Sequence, residues 1–129
     1  MNKIIVEVSI GELLDKISIL EIKQEKIKDF EKLKFINNEY SILKNQFEKN
    51  IKSDEKLKGL YRSLKEINNK LWVIEDDKRQ CEKDKDFGEK FIKLSRDVHF
   101  LNDDRAKIKL EINNHTGSTI KEIKEYTSY

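Results

Sequence analysis

Apolar residues recur along this chain at two different periods. Over Lys3–Val8 they alternate, with Ile4, Val6 and Val8 on one side and Ile5 and Glu7 on the other. This predicts a short β-strand within residues 1–8. From Ser9 onward the spacing changes to threes and fours. Leu13, Ile17, Leu20 and Ile27 mark one helical face with Leu14 beside it, and Leu33, Ile36, Tyr40, Leu43 and Phe47 mark a further seam. Ser9-Ile10-Gly11-Glu12 has the form of a capping box, in which the serine oxygen takes an orphan N–H and the glutamate reaches back to the cap. Residues 9–52 therefore read as one long helix or as two with a break around Asn37-Asn38. With no Gly or Pro at that junction, a long, bent helix is favoured. Ser53-Asp54 is the next cap, opening a helix over 54–83. Asp84-Lys85-Asp86-Phe87-Gly88 reads as a loop. A last helix over 89–115 carries Phe91, Leu94, Val98, Leu101, Arg105, Ile108 and Ile112 at heptad spacing. Gly117 stops it by supplying a left-handed turn, and residues 116–129 form a polar tail.

These elements predict an all-α fold: a single domain built as an antiparallel bundle of long helices with coiled-coil-like seams and a short N-terminal β-strand. A strand needs a ladder partner. The segment therefore either pairs with its copy in a second chain or lies extended across the helices. Helices this long also expose much apolar surface, and a homodimer is expected.

Composition narrows the partners. In 129 residues, 40% are charged, yet 27 basic side chains stand against 25 acidic ones, for a net charge of +2. Such a balance supplies no broad basic face for nucleic acid. Lys23, Lys26, Lys28, Lys32 and Lys34 are interleaved with acids and read as a solvated face with i,i+4 pairs. No run approaches the ~20 apolar residues of a membrane span, and no signal peptide is read at the N-terminus. Cys81, the single cysteine, excludes an intrachain disulfide, and a reducing cytoplasm is the expected location.

The candidate chemistry lies on one stripe of the second helix. Asn68, Trp72, Glu75, Arg79 and Glu82 fall at steps of four and three, next to the apolar seam Leu57, Leu60, Leu64, Ile67, Leu71, Ile74, Lys78 and Cys81. A polar row drawn inward beside such a seam has to be paired or bind something. Arg105 sits inside the apolar seam of the last helix, with Arg96, His99, Asn102 and Asp103 along the same helix. Together with Glu12, Asp15 and Lys16 these residues form an expected polar layer: Glu12, Asp15, Lys16, Trp72, Glu75, Arg79, Glu82, Arg96, Asn102 and Arg105. Two readings compete. One is an ion-pair network that fixes helix register. The other is a pocket for a small anion held by Arg79, Arg96 and Arg105, with a carboxylate as acid or base. His99, His115 and Cys81 have no zinc spacing, and no Walker or dinucleotide pattern occurs. Glu12-x-x-Asp15 and Glu75-Asp76-Asp77 offer only a weak Mg²⁺ signal. No cofactor is expected.

The chain also resembles a family of small bacterial and phage proteins with no assigned function. The resemblance rests on Val8-Ser9-Ile10-Gly11-Glu12-Leu13-Leu14-Asp15-Lys16-Ile17, then Ile19-Leu20-Glu21-Ile22-Lys23, and on Leu71-Trp72-x-Ile74-Glu75-Asp76 with Arg79 and Glu82. It continues through Phe91-Ile92-x-Leu94, Phe100-x-Asn102-Asp103-x-Arg105-Ala106-x-Ile108-Lys109, Glu111-Ile112-Asn113, Gly117-Ser118 and Ser128-Tyr129. The chain departs from the family pattern at Lys78, Ser95 and His99, where Ile, Ala and Tyr are usual. The resemblance implies an association with genes for cell-surface sugars. Two functions follow. The first is a dimeric binding or accessory protein, linked to surface-polysaccharide assembly. The second is a small all-α enzyme with an inter-helix Arg/Glu pocket, either chorismate-mutase-like and metal-free or a Mg²⁺-dependent nucleotide pyrophosphohydrolase.

Overall fold

A computed structural model describes residues 2–129. Four helices follow one another: α1 (Ile10–Lys26), α2 (Phe30–Asn50), α3 (Glu55–Asp84) and α4 (Glu89–Thr116). Each of the first three begins where a short polar side chain takes over an orphan backbone N–H. Ser9 Oγ accepts from Glu12 at 3.1 Å, Asp29 Oδ1 from Glu31 and Lys32 at 2.9 and 3.2 Å, and Asp54 Oδ1 from Leu57 at 2.8 Å. α4 ends at Gly117, whose φ of 70° is the left-handed turn expected of a glycine there. The turn after α3 uses Lys85 instead, at φ 55°, and Gly88 takes the N-cap of α4 without a side-chain bond.

Two expectations are corrected. Residues 9–52 form two helices, and the break lies at Ile27–Asp29, not at Asn37-Asn38. Asp29 decides it, because its carboxylate restarts the helix. Asn37 and Asn38 sit on the solvated side of α2, where helical asparagine is tolerated, and Asn37 Oδ1 accepts a 3.0 Å bond from Gln24 that ties α2 to α1. The N-terminal β-strand is absent: among the described residues there is no strand, and Ile4 and Ile5 are 88% and 84% exposed. The alternation is real, but every other element is helical and offers no ladder.

α1 is the central element. It packs against α2, α3 and α4, while α3 and α4 pack along each other and α2 approaches only α1. Leu14, Ile17, Leu57, Leu64 and Ile112 form the buried centre, with Leu43 and Phe47 of α2 and Ile108 of α4 packed around it. The seams predicted for α3 and α4 thus meet each other and α1. No helix is long and apolar enough to cross a membrane among the described residues. The tail doubles back along α4. Ser118 is buried, Glu122 reaches Lys109, and the Tyr129 ring packs edge-on against His99 and Phe100 at 5.4 and 5.3 Å.

Candidate functional site

Arg105, Lys109 and Asn113 recur every fourth residue and therefore line one face of α4. That face meets the first turns of α1. The approach is close: the Gly11 N–H donates to Asn113 Oδ1 at 2.7 Å, and the Ile10 N–H to Ser118 Oγ at 3.2 Å. A Cβ on Gly11 would stand 2.6 Å from the Lys109 carbonyl oxygen, so the contact requires glycine.

One turn further along α1, Asp15 is 1% exposed and forms the hub of a polar cluster. Its Oδ1 accepts from Asn68 Nδ2 of α3 at 2.8 Å and from Arg105 Nε at 3.0 Å, while Arg105 Nη2 closes a bidentate pair on Oδ2. Asn68 Nδ2 also donates to Ser18 Oγ at 2.8 Å, and Ser18 Oγ donates to the Asp15 carbonyl. Lys109, 8% exposed, lies 2.7 Å from Glu12, 3.3 Å from Glu122 and 3.7 Å from Asp15. Burial alone would raise the Asp15 carboxyl, but bonds from Arg105 and Asn68 and the charges of Arg105 and Lys109 outweigh it and hold the group below the usual carboxylate range. The hydrogen bonds to Asp15 raise Arg105 further still. Lys109 is pulled down by burial, yet its bond to Glu12 and the charges of Asp15, Glu12 and Glu122 leave it above the ordinary lysine value. Asp15, Arg105 and Lys109 are thus each held in the charged form by other members of the cluster.

Glu12 does not complete the capping box: its carboxylate goes to Lys109 rather than back to the cap. A second knot lies on the other side of α1, where Glu21 accepts from Tyr40 at 3.1 Å and from Tyr61, with Lys65 bridging it to Glu25. Burial and the neighbouring Glu21 push the Tyr61 hydroxyl well above its usual value.

The expected polar layer divides. Glu12, Asp15 and Arg105 converge, and Asn102 Oδ1 accepts a long 3.4 Å bond from Arg105. Trp72, Glu75 and Arg79 line a groove beside them, with a volume of about 460 Å³, together with Ile19, Asn68, Leu71, Asp76 and Arg105. Glu75 and Arg79 are paired at 3.1 Å and largely exposed. Lys16, Glu82 and Arg96 face solvent and join neither group. Sequence reasoning missed Ser18, Lys109, Asn113, Ser118 and Glu122. The four-residue row Arg105-Lys109-Asn113 was the signal for two of them.

A sequence model of a family described as "Family of unknown function (DUF6165)" matches residues 4–129. The chain belongs to this family. The match embraces every residue of the DUF6165 cluster described above, from Glu12 to Glu122. No curated protein and no solved structure matches the chain.

The geometry bears on both kinds of chemistry considered. Of the cations expected to seat an anion, Arg105 is committed to Asp15 and Arg79 to Glu75, while Arg96 faces solvent away from both; Lys109, which joins them in the structure, is committed to three carboxylates. Among the described residues, no three His, Cys, Asp or Glu side chains converge as a metal site, so the acids of α1 and α3 do not assemble into one donor set. Beside the cluster, the groove at Trp72 stays open to a ligand: an aromatic plate with planar polar groups at its edge and two acids balanced by two arginines.

Proposed function

We propose that this DUF6165 protein is a non-catalytic binding or accessory protein whose ligand seat is the Trp72 groove, and that its ligand is a neutral or amino-substituted sugar. The observation that carries the reading is the make-up of that groove. Its volume lies in the roughly 300–1,000 Å³ range of small-molecule seats. The Trp72 ring can cover the apolar C–H face of a pyranose, while Glu75, Asp76, Arg79 and Asn68 offer planar donors and acceptors to its hydroxyls. Glu75 and Asp76 match the two arginines in number, and each arginine is already paired with a carboxylate, which disfavours a sugar phosphate or a dianion. The resemblance's association with cell-surface sugar genes points the same way, to a role in surface-polysaccharide assembly. Against the enzyme alternative stands the mutual pairing of the buried charges, which leaves none of them poised to exchange a proton.

Trp72 is the only tryptophan in the chain, so emission excited selectively at tryptophan, clear of the four tyrosines, reports on this groove. Titration with hexoses, N-acetylhexosamines and amino sugars is expected to give a saturable change in emission. Glu75→Gln should weaken it at least several-fold while leaving the melting temperature nearly unchanged. Emission that stays flat across the sugar panel refutes the reading. A response confined to sugar phosphates or dianions would restore the anion pocket.

A further inference from the structure

Residues 3–8 stand apart from everything else in the molecule. Ile4, Ile5, Val6 and Val8 are all exposed, and none of the hydrogen bonds among the described residues involves this segment. Four β-branched residues among six, with their backbone groups unpaired, make an extended segment that could take a ladder partner. The segment is nonetheless rooted firmly. It leads directly into Ser9, buried and capping α1, and Ile10, whose N–H is held by Ser118.

We propose that this segment is the seam of a homodimer, in which residues 3–7 pair antiparallel with the same residues of a second copy, centred on Ile5. The charge pattern selects both the occupant and the register. Centred on Ile5, the pairing sets Lys3 opposite the partner's Glu7, Glu7 opposite the partner's Lys3, Ile4 opposite the partner's Val6, and Ile5 opposite the partner's Ile5. A slip of one residue sets Lys3 against Val8 or Val6 and leaves both charges unmatched. It also turns the apolar set to the other face. Self-complementarity of this kind is what a two-fold contact requires. A two-stranded ribbon is marginal by itself, so the shared face of Ile4, Val6 and Val8 needs backing. Ile120, exposed on the tail and tied through its carbonyl to Ser118 beside Ile10, supplies apolar surface near the root of the segment.

The test uses the full chain and its oligomeric state by light scattering at micromolar concentration. The wild-type chain is expected to be a dimer. Lys3→Glu and Glu7→Lys each turn two attractive cross-strand pairs into two repulsive ones, and each should weaken association by on the order of tenfold or more. The double reversal should restore it. Helicity is the folding control, since residues 3–8 make no hydrogen bond to the helices. Ile5→Cys, which would face its own copy, should oxidise readily to a covalent dimer, whereas Val8→Cys, far from its copy in this register, should not. A monomeric wild-type chain overturns the proposal. So does a dimer that both single reversals leave intact, which would move the contact elsewhere, for instance to the exposed Val73 and Phe100 of the α3–α4 groove. Failure of the double reversal to restore association overturns the register. None of these outcomes depends on whether the Trp72 groove binds a sugar.

Discussion

Replacing Asp15 with alanine removes the carboxylate on which α1, α3 and α4 converge. Three hydrogen bonds are lost, two of them from one guanidinium. Bonds to a charged group contribute ~1.5–3 kcal/mol each, but the losses do not simply add. The Arg105 side chain is 27% exposed and recovers some hydration, Lys109 keeps Glu12 and Glu122, and Asn68 keeps Ser18. The result falls in the range for breaking one side of a buried pair, about 3–4 kcal/mol. With a urea m-value of ~1.5 kcal/mol/M, the unfolding midpoint should drop by about 2 M. The assay is equilibrium urea unfolding followed by far-ultraviolet circular dichroism. Asp15→Leu combined with Arg105→Met, which replaces the pair by apolar side chains, should recover a large part of the loss. An Asp15→Ala cost below about 1 kcal/mol would refute the view of this carboxylate as a structural hub. A double variant no more stable than Asp15→Ala would refute the pairwise account.

Gly11→Ala should lower the melting temperature, although alanine favours the helix by up to ~1 kcal/mol. Its Cβ would meet the Lys109 backbone oxygen at 2.6 Å, and forcing two helices apart costs about 1–3 kcal/mol. A rise in melting temperature would show that α1 and α4 part freely. Acid should weaken the fold through Asp15. Its carboxyl is held below the ordinary value in the folded state, so the stability it confers is present above the unfolded value of about 3.9 and is lost as pH falls through the folded one. Unfolding free energy measured between pH 5 and pH 2 should therefore fall with pH, and the slope should be shallower in Asp15→Asn. An equal slope in the two proteins would assign the acid sensitivity to other carboxylates.

The helices were legible where a cap and a seam agreed. Ser9 and Asp54 each sit at the observed N-cap of α1 and α3, and the ends of α3 and α4 fall within a residue or so of the expected ones. The break at Asp29 was harder to see because the apolar register runs on past it, and only the competition of one carboxylate for two backbone N–H groups marks it. The polar stripe on α3 shares one face of the helix but not one environment. α1 has 17 residues against 30 in α3, so Asn68 is buried under α1 whereas Arg79 and Glu82 lie in solvent. Periodicity along one helix carries no information on how far its neighbour extends. Helical phase accounts for the rest: Lys16 is turned about 100° from Asp15 on α1 and Arg96 about 180° from Arg105 on α4, so both face solvent, whereas Lys109 and Asn113 stay on the Arg105 side.

The bonds that anchor the foot of α1 join residues 102 and 108 positions apart, Gly11 to Asn113 and Ile10 to Ser118. A chain made from its N-terminus therefore releases its first helix long before the surface that completes it. At about 5–20 residues per second of synthesis, α1 waits on the order of 5–20 s with Asp15 still hydrated and its apolar face uncovered. During that interval α2 and then α3 are made, and α1 can pack against both, but the face that takes Arg105, Lys109 and Asn113 stays open until α4 emerges. The fold of this protein is thus closed by its last stretch, from Arg105 to Ser118, rather than completed by growth outward from the first helix.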